Sequence, residues 1–202
     1  MKINKLALQA FYESHRDEYL RRRFSGDKAL WDESYKWDIL PRLNKELAAY
    51  DSVNGDSIAE IAHIVTHHTN TSNFPSWRDI DDLKDLLSRR NAHSVLSELW
   101  IAKPETAAEC IQTASPSTWA YLLAALDCNS FALYREAIMK QVAEICGVDS
   151  PTAASQGEKY TLLNDAALYL GELMRDDIND VPYMQALNGQ DFLWVTLEYS
   201  DS

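Results

Sequence analysis

Apolar side chains recur at three- and four-residue steps along almost the whole chain. That period lines one face of an α-helix, whereas a half-buried strand would alternate every two residues. Glycine offers little punctuation for anything else: six in 202 residues leave few positions for tight hairpins or glycine-rich phosphate loops. The expected fold is therefore all-α, an irregular bundle of about eight to ten helices in a single domain. The loop at 67–77 is the one place where the chain could subdivide, because it is dense in Ser, Thr and Asn. No internal repeat of fixed period is visible.

Along the chain, residues 4–23 place Leu8, Phe11, Tyr12, His15 and Tyr19 on one face, and Arg21, Arg22 and Arg23 close the last turn, where cations suit the helix dipole. Gly26 ends that helix, and Asp27 is expected to cap a second carrying Leu30, Trp31, Tyr35 and Trp37. Pro41 is expected to stop or kink it. A short helix carries Ile58, Ile61, Ile64 and Val65, and others are expected over about 76–90, 94–101 and after Pro104. Ser115 and Pro116 read as a cap and a first-turn proline. Phe131 to Ile145 forms a long stripe ended by Gly147, and a further helix runs from about Glu158 to Met174. The period fades at 192–197, which fits helix or strand.

Charge narrows the function classes. The net charge is −12, but residues 1–103 hold 15 Lys and Arg against 16 Asp and Glu, whereas residues 104–202 hold 4 against 15. A nucleic-acid surface needs cations and so belongs in the first half. Arg16, Arg21, Arg22, Arg23, Lys36, Arg42 and Lys45 lie on the first two helices, with Arg89 and Arg90 on a later one. Tyr19, Phe24, Trp31, Tyr35 and Trp37 interleave with the early ones, the combination that phosphate contact and base stacking use. The opposing reading is that these aromatics are core and that Asp17, Glu18, Asp32, Glu33 and Asp38 neutralise the cations.

Catalytic signals are sparse. Glu60, His63 and His67 share a helical face at metal-ligand spacing, yet H-E-x-x-H and a second Glu-x-x-His are missing. There is no nucleophile elbow and no phosphate-binding glycine motif. Cys110, Cys128 and Cys146 lack zinc or disulfide spacing and read as buried thiols. No cofactor and no catalytic role are expected. The start has no sustained apolar segment, and no stretch approaches a membrane span, so the expected location is the cytoplasm, away from membranes.

Several short segments carry a family likeness. Tyr35-Lys36-Trp37 leads into Leu40-Pro41-Arg42-Leu43, and Leu86-Leu87-Ser88-Arg89-Arg90-Asn91 and Leu133-Tyr134-Arg135 follow later. The closing Leu187-Asn188-Gly189-Gln190-Asp191-Phe192-Leu193-Trp194 carries a Gln-Asp-Phe run. In these segments the chain resembles the non-catalytic N-terminal region ahead of the AAA+ motor in McrB-like restriction and related bacterial defence proteins. The resemblance implies a recognition or adaptor module, with DNA, an AAA+ motor or another protein as partner. The Walker motifs of the motor are absent from this sequence. Three readings stay open: a module contacting nucleic acid through its early basic helices, an acidic DNA-mimic-like module docking on a basic partner, and a metal-dependent enzyme using Glu60, His63 and His67.

Overall fold

The computed structural model describes residues 1–50, 57–66, 81, 84–85, 115–149 and 153–199. Among them it contains seven helices of nine or more residues and no strand: α1 (Lys5–Arg23), α2 (Tyr35–Leu47), α3 (Ile58–Thr66), α4 (Pro116–Leu126), α5 (Glu136–Ile145), α6 (Gln156–Leu173) and α7 (Gln185–Glu198). The chain is an all-α multi-helix bundle. The helices expected over 76–90, 94–101 and after Pro104, and the loop at 67–77, fall wholly or largely outside the described residues.

The helix ends follow side-chain chemistry. Asn4 caps α1 by accepting the Ala7 amide, and Ser115 caps α4 by accepting from Thr118, with Pro116 at the first helical position. Ser155 and Glu158 form a reciprocal capping box at the start of α6. Gly26 and Gly147 take positive φ just past α1 and α5, a region that costs other residues.

Two expected helices start later than the apolar spacing predicts. The helix expected from Asp27 starts only at Tyr35: the Asp27 carboxylate does accept the Ala29 amide at 2.9 Å, but the turn it caps closes at Trp31 and goes no further. The stripe from Phe131 becomes helical only at Glu136. Asn164 on α6 explains the delay: it accepts the Ala132 amide at 2.7 Å and donates to the Ser130 carbonyl at 3.2 Å. Pro41 stays inside α2, whose Leu40, Leu43 and Leu47 are fully buried. That apolar anchoring outweighs the one helical hydrogen bond a proline removes. The ambiguous tail at 192–197 is helical, within α7.

Two buried clusters organise the bundle. One gathers Leu40, Leu43 and Leu47 of α2, Ile61 and Val65 of α3, and Trp119, Leu122 and Leu123 of α4. Asn44 stitches α2 to the end of α4, donating to the Ala124 and Ala125 carbonyls at 2.9 and 2.6 Å and accepting the Cys128 amide at 3.2 Å. The other cluster joins Leu8, Tyr12 and Tyr19 of α1 to Val142 of α5, Leu163, Ala166 and Leu170 of α6, and Phe192 of α7. The Phe192 ring meets Phe11, Tyr12 and Tyr19 edge-on at centroid distances of 5.8, 5.3 and 5.1 Å.

α6 and α7 touch backbone to backbone. A Cβ on Gly189 would lie 1.8 Å from the Ala167 carbonyl oxygen, and one on Gly171 would lie 2.0 Å from that of Gln185. Only glycine permits this approach, which fixes the register of α7 and with it the direction of every side chain α7 turns inward.

Candidate functional site

The mostly buried α7 carries a carboxylate where the surrounding pattern is apolar. Asp191 shares a helical face with Leu187 and Val195 and is 0% exposed. One of its oxygens, Oδ2, accepts from the Tyr19 hydroxyl at 2.9 Å and from the Trp31 indole N–H at 3.0 Å. The Arg23 guanidinium lies 3.6 Å from the same oxygen. Arg23 also donates to the Tyr19 hydroxyl at 2.8 Å and to the Asp180 carboxylate at 2.5 Å, and its plane lies 4.4 Å from the centre of the Trp37 ring. The register of α1 explains this placement: Tyr19 and Arg23 are four residues apart and share the inward face.

A second ion pair adjoins the first. Lys36 on α2 is buried, with its ammonium 2.6 Å from Glu33 but outside hydrogen-bond alignment. Glu33 accepts from the Tyr199 hydroxyl at 2.8 Å and from the Tyr35 hydroxyl at 3.2 Å. The Trp194 ring faces Lys36 at 5.1 Å and the Arg135 guanidinium at 4.4 Å, and Arg135 pairs with Glu198 at 3.3 Å. Burial raises the Asp191 carboxyl above the usual carboxylate range, against the pull of Lys36, Arg23 and the Trp31 N–H. The junction of α1, α2 and α7 is thus a buried ionic and aromatic network with balanced donors on one side of Asp191.

The expected contact residues are not gathered on one open surface. Arg23 and Lys36 lie inside. Arg16 binds Asp177 through two nitrogens, one at 2.7 Å, and Tyr12 donates to the same carboxylate. Arg21 and Arg22 both grip Glu18, at 2.6 and 2.7 Å, and their hydrogen bonds hold its carboxyl down to about 2. Arg22 also donates to the Tyr199 carbonyl at 3.1 Å. Arg42 and Lys45 are exposed on α2. Arg89 and Arg90 lie outside the described residues.

The metal-like constellation is only partly visible. Glu60 accepts from the Tyr50 hydroxyl at 2.8 Å, His63 is exposed, and His67 lies outside the described residues. Among the described residues no three His, Cys, Asp or Glu side chains converge as a metal site. The Cys128 thiol, pushed up to about 12 by burial, donates to Asn44 at 3.0 Å and serves packing. Among the described residues no helix is long and apolar enough to cross a membrane.

Sequence reasoning passed over Glu33, Asp180, Asp191, Trp194 and Tyr199 as members of one cluster. A signal for Asp191 was present: a carboxylate in register with Leu187 and Val195 must either break the helix face or find partners inside. Nothing in the sequence pairs it with Tyr19 and Trp31, 172 and 160 residues away.

No protein-family model, curated protein or solved structure matches the chain.

Proposed function

We propose that this chain is a non-catalytic recognition or adaptor module of a McrB-like restriction or defence system, acting by docking on a protein partner. The likeness of its short motifs supports the system, and one structural observation supports the mode. The guanidinium groups of α1 pair with carboxylates of the same fold: Arg16 with Asp177, Arg21 and Arg22 with Glu18, and Arg23 with Asp180. A phosphate-binding face needs such groups turned to solvent. Here Arg16 and Arg23 instead fasten the first helix to the last part of the chain, while Arg21 and Arg22 are taken up by Glu18 within that helix, and the net charge of −12 favours a basic protein partner.

The reading in which the early helices contact DNA rests on Arg21, Arg42 and Lys45, all exposed. A titration of methylated and unmethylated duplex at two salt concentrations separates the two. Protein docking predicts no salt-sensitive DNA affinity and co-elution with a co-expressed McrB-like motor subunit. A steep salt dependence, lost in Arg42→Glu with Lys45→Glu, would overturn it in favour of DNA contact.

A further inference from the structure

The junction of α1, α2 and α7 holds more acids than its cations neutralise. Two cations bear on Asp191, Lys36 and Arg23. Each has its own closer carboxylate: Glu33 lies 2.6 Å from Lys36, and Asp180 lies 2.5 Å from Arg23. Asp191 is the third acid, fully buried and 3.6 Å from the nearer nitrogen of Arg23. An ionised carboxylate that must share its counterion with another acid in such a place is poorly compensated for its desolvation.

Its two oxygens also differ. Oδ2 takes both direct hydrogen bonds, from Tyr19 and Trp31, whereas Oδ1 has no donor among the described residues. One turn earlier on the same face, the Asn188 amide donates to the Met184 carbonyl, and its Oδ1 likewise has no donor. An ionised acid leaves Asp191 Oδ1 and Asn188 Oδ1 both without a donor. A proton on Asp191 Oδ1 removes the uncompensated charge and converts an acceptor without a donor into a donor, with an unused acceptor one turn away.

We infer that Asp191 is a buried proton-binding site, held near neutral pH as the neutral carboxylic acid with its proton on Oδ1. The groups facing it are Tyr19 and Arg23 from α1, Trp31 and Glu33 from the segment between α1 and α2, and Lys36 from α2, with Tyr35 and Tyr199 acting at longer range. Loss of the proton breaks the Oδ1–H bond, leaves the electron pair on the carboxylate and passes the proton to a solvent base. The junction then holds three negative charges against two positive ones. Because the folded state binds this proton more tightly than the unfolded chain, stability falls as pH rises through the folded-state value. This inference does not depend on which partner the surface takes.

Isotope-edited infrared spectroscopy on the full chain labelled with ¹³C-aspartate tests it. The folded protein near neutral pH is expected to show the carbonyl stretch of one protonated aspartic acid. That band is expected to vanish in Asp191→Asn and to shift in Trp31→Phe, which removes one donor to the other oxygen. The band is also expected to disappear at higher pH, where the fall in wild-type stability relative to Asp191→Asn levels off. Should Asp191→Asn not fold, the Trp31→Phe shift carries the assignment. Absence of any protonated-acid band in the folded wild type overturns the inference, as does a band that neither substitution alters.

Discussion

Replacing Gly189 with alanine tests whether the backbone contact between α6 and α7 holds the bundle in register. The added methyl would sit 1.8 Å from the Ala167 carbonyl oxygen, 2.6 Å from its carbonyl carbon and 2.8 Å from the Gly171 nitrogen. Ordinary contact begins near 3.4 Å, so the shortfall on the oxygen is 1.6 Å. All three obstructing atoms are backbone, and no rotamer change relieves them. The helices must separate, and a gap of about 0.5–1 Å already forfeits a quarter to a half of each dispersion contact across the interface. Alanine recovers about 1 kcal/mol of helix propensity. Against that stands a steric cost of about 4 kcal/mol, above the usual overpacking range because the clash is with main chain. The net loss is about 3 kcal/mol, or roughly 6–12 °C in Tm for a chain of this size. Urea and thermal unfolding followed by far-UV circular dichroism measure it. Gly26→Ala, at φ 72° with nothing within 4 Å, is the control and is expected to cost about 1 kcal/mol, from backbone strain alone. A Gly189→Ala melting temperature within about 2 °C of wild type would refute the reasoning.

Three further outcomes are expected. Arg23→Met leaves Asp180 and the Tyr19 hydroxyl without their donor inside the fold, and should cost about 3–5 kcal/mol in urea unfolding. Trp37→Ala removes the half-buried ring that covers the Arg23 guanidinium at 4.4 Å and meets Trp31 at 5.7 Å, so a loss of about 2–3 kcal/mol should appear in the same assay. Asp177 is held below the usual aspartate range, chiefly by its hydrogen bond from Arg16 and despite partial burial. A lowered folded-state value stabilises above the unfolded value and is lost as pH falls through the folded one. Acid titration of stability should therefore be shallower in Asp177→Asn than in wild type over that window.

Where one residue and its near neighbours decide an element, the sequence was legible. Gly26, Ser115 with Pro116, and Gly147 mark real helix ends, and the face of Leu8, Tyr12 and Tyr19 is the buried face of α1. Legibility failed where a distant side chain took over the backbone. Asn164 keeps 131–135 out of helix from 32 residues away, which no local period encodes. The same holds for the cations. Glu18 as partner of Arg21 and Arg22 follows from helical spacing, but Asp177 and Asp180 reach Arg16 and Arg23 across more than 150 residues. The surface expected from the early arginines depended on those distant partners, as did the buried network around Asp191.

The pairing of the first helix with the last has a kinetic consequence. Leu8, Tyr12 and Tyr19 find their places only beside residues of α5, α6 and α7, and Arg22 closes on the carbonyl of Tyr199. During synthesis the greasy side of α1 therefore emerges from the ribosome well before the segment that shelters it. The waiting time is set by translation of roughly 180 further residues, about 10–40 s at typical elongation speeds. Nascent chains paused before α7 should bind chaperones through α1, and release should coincide with the appearance of Phe192.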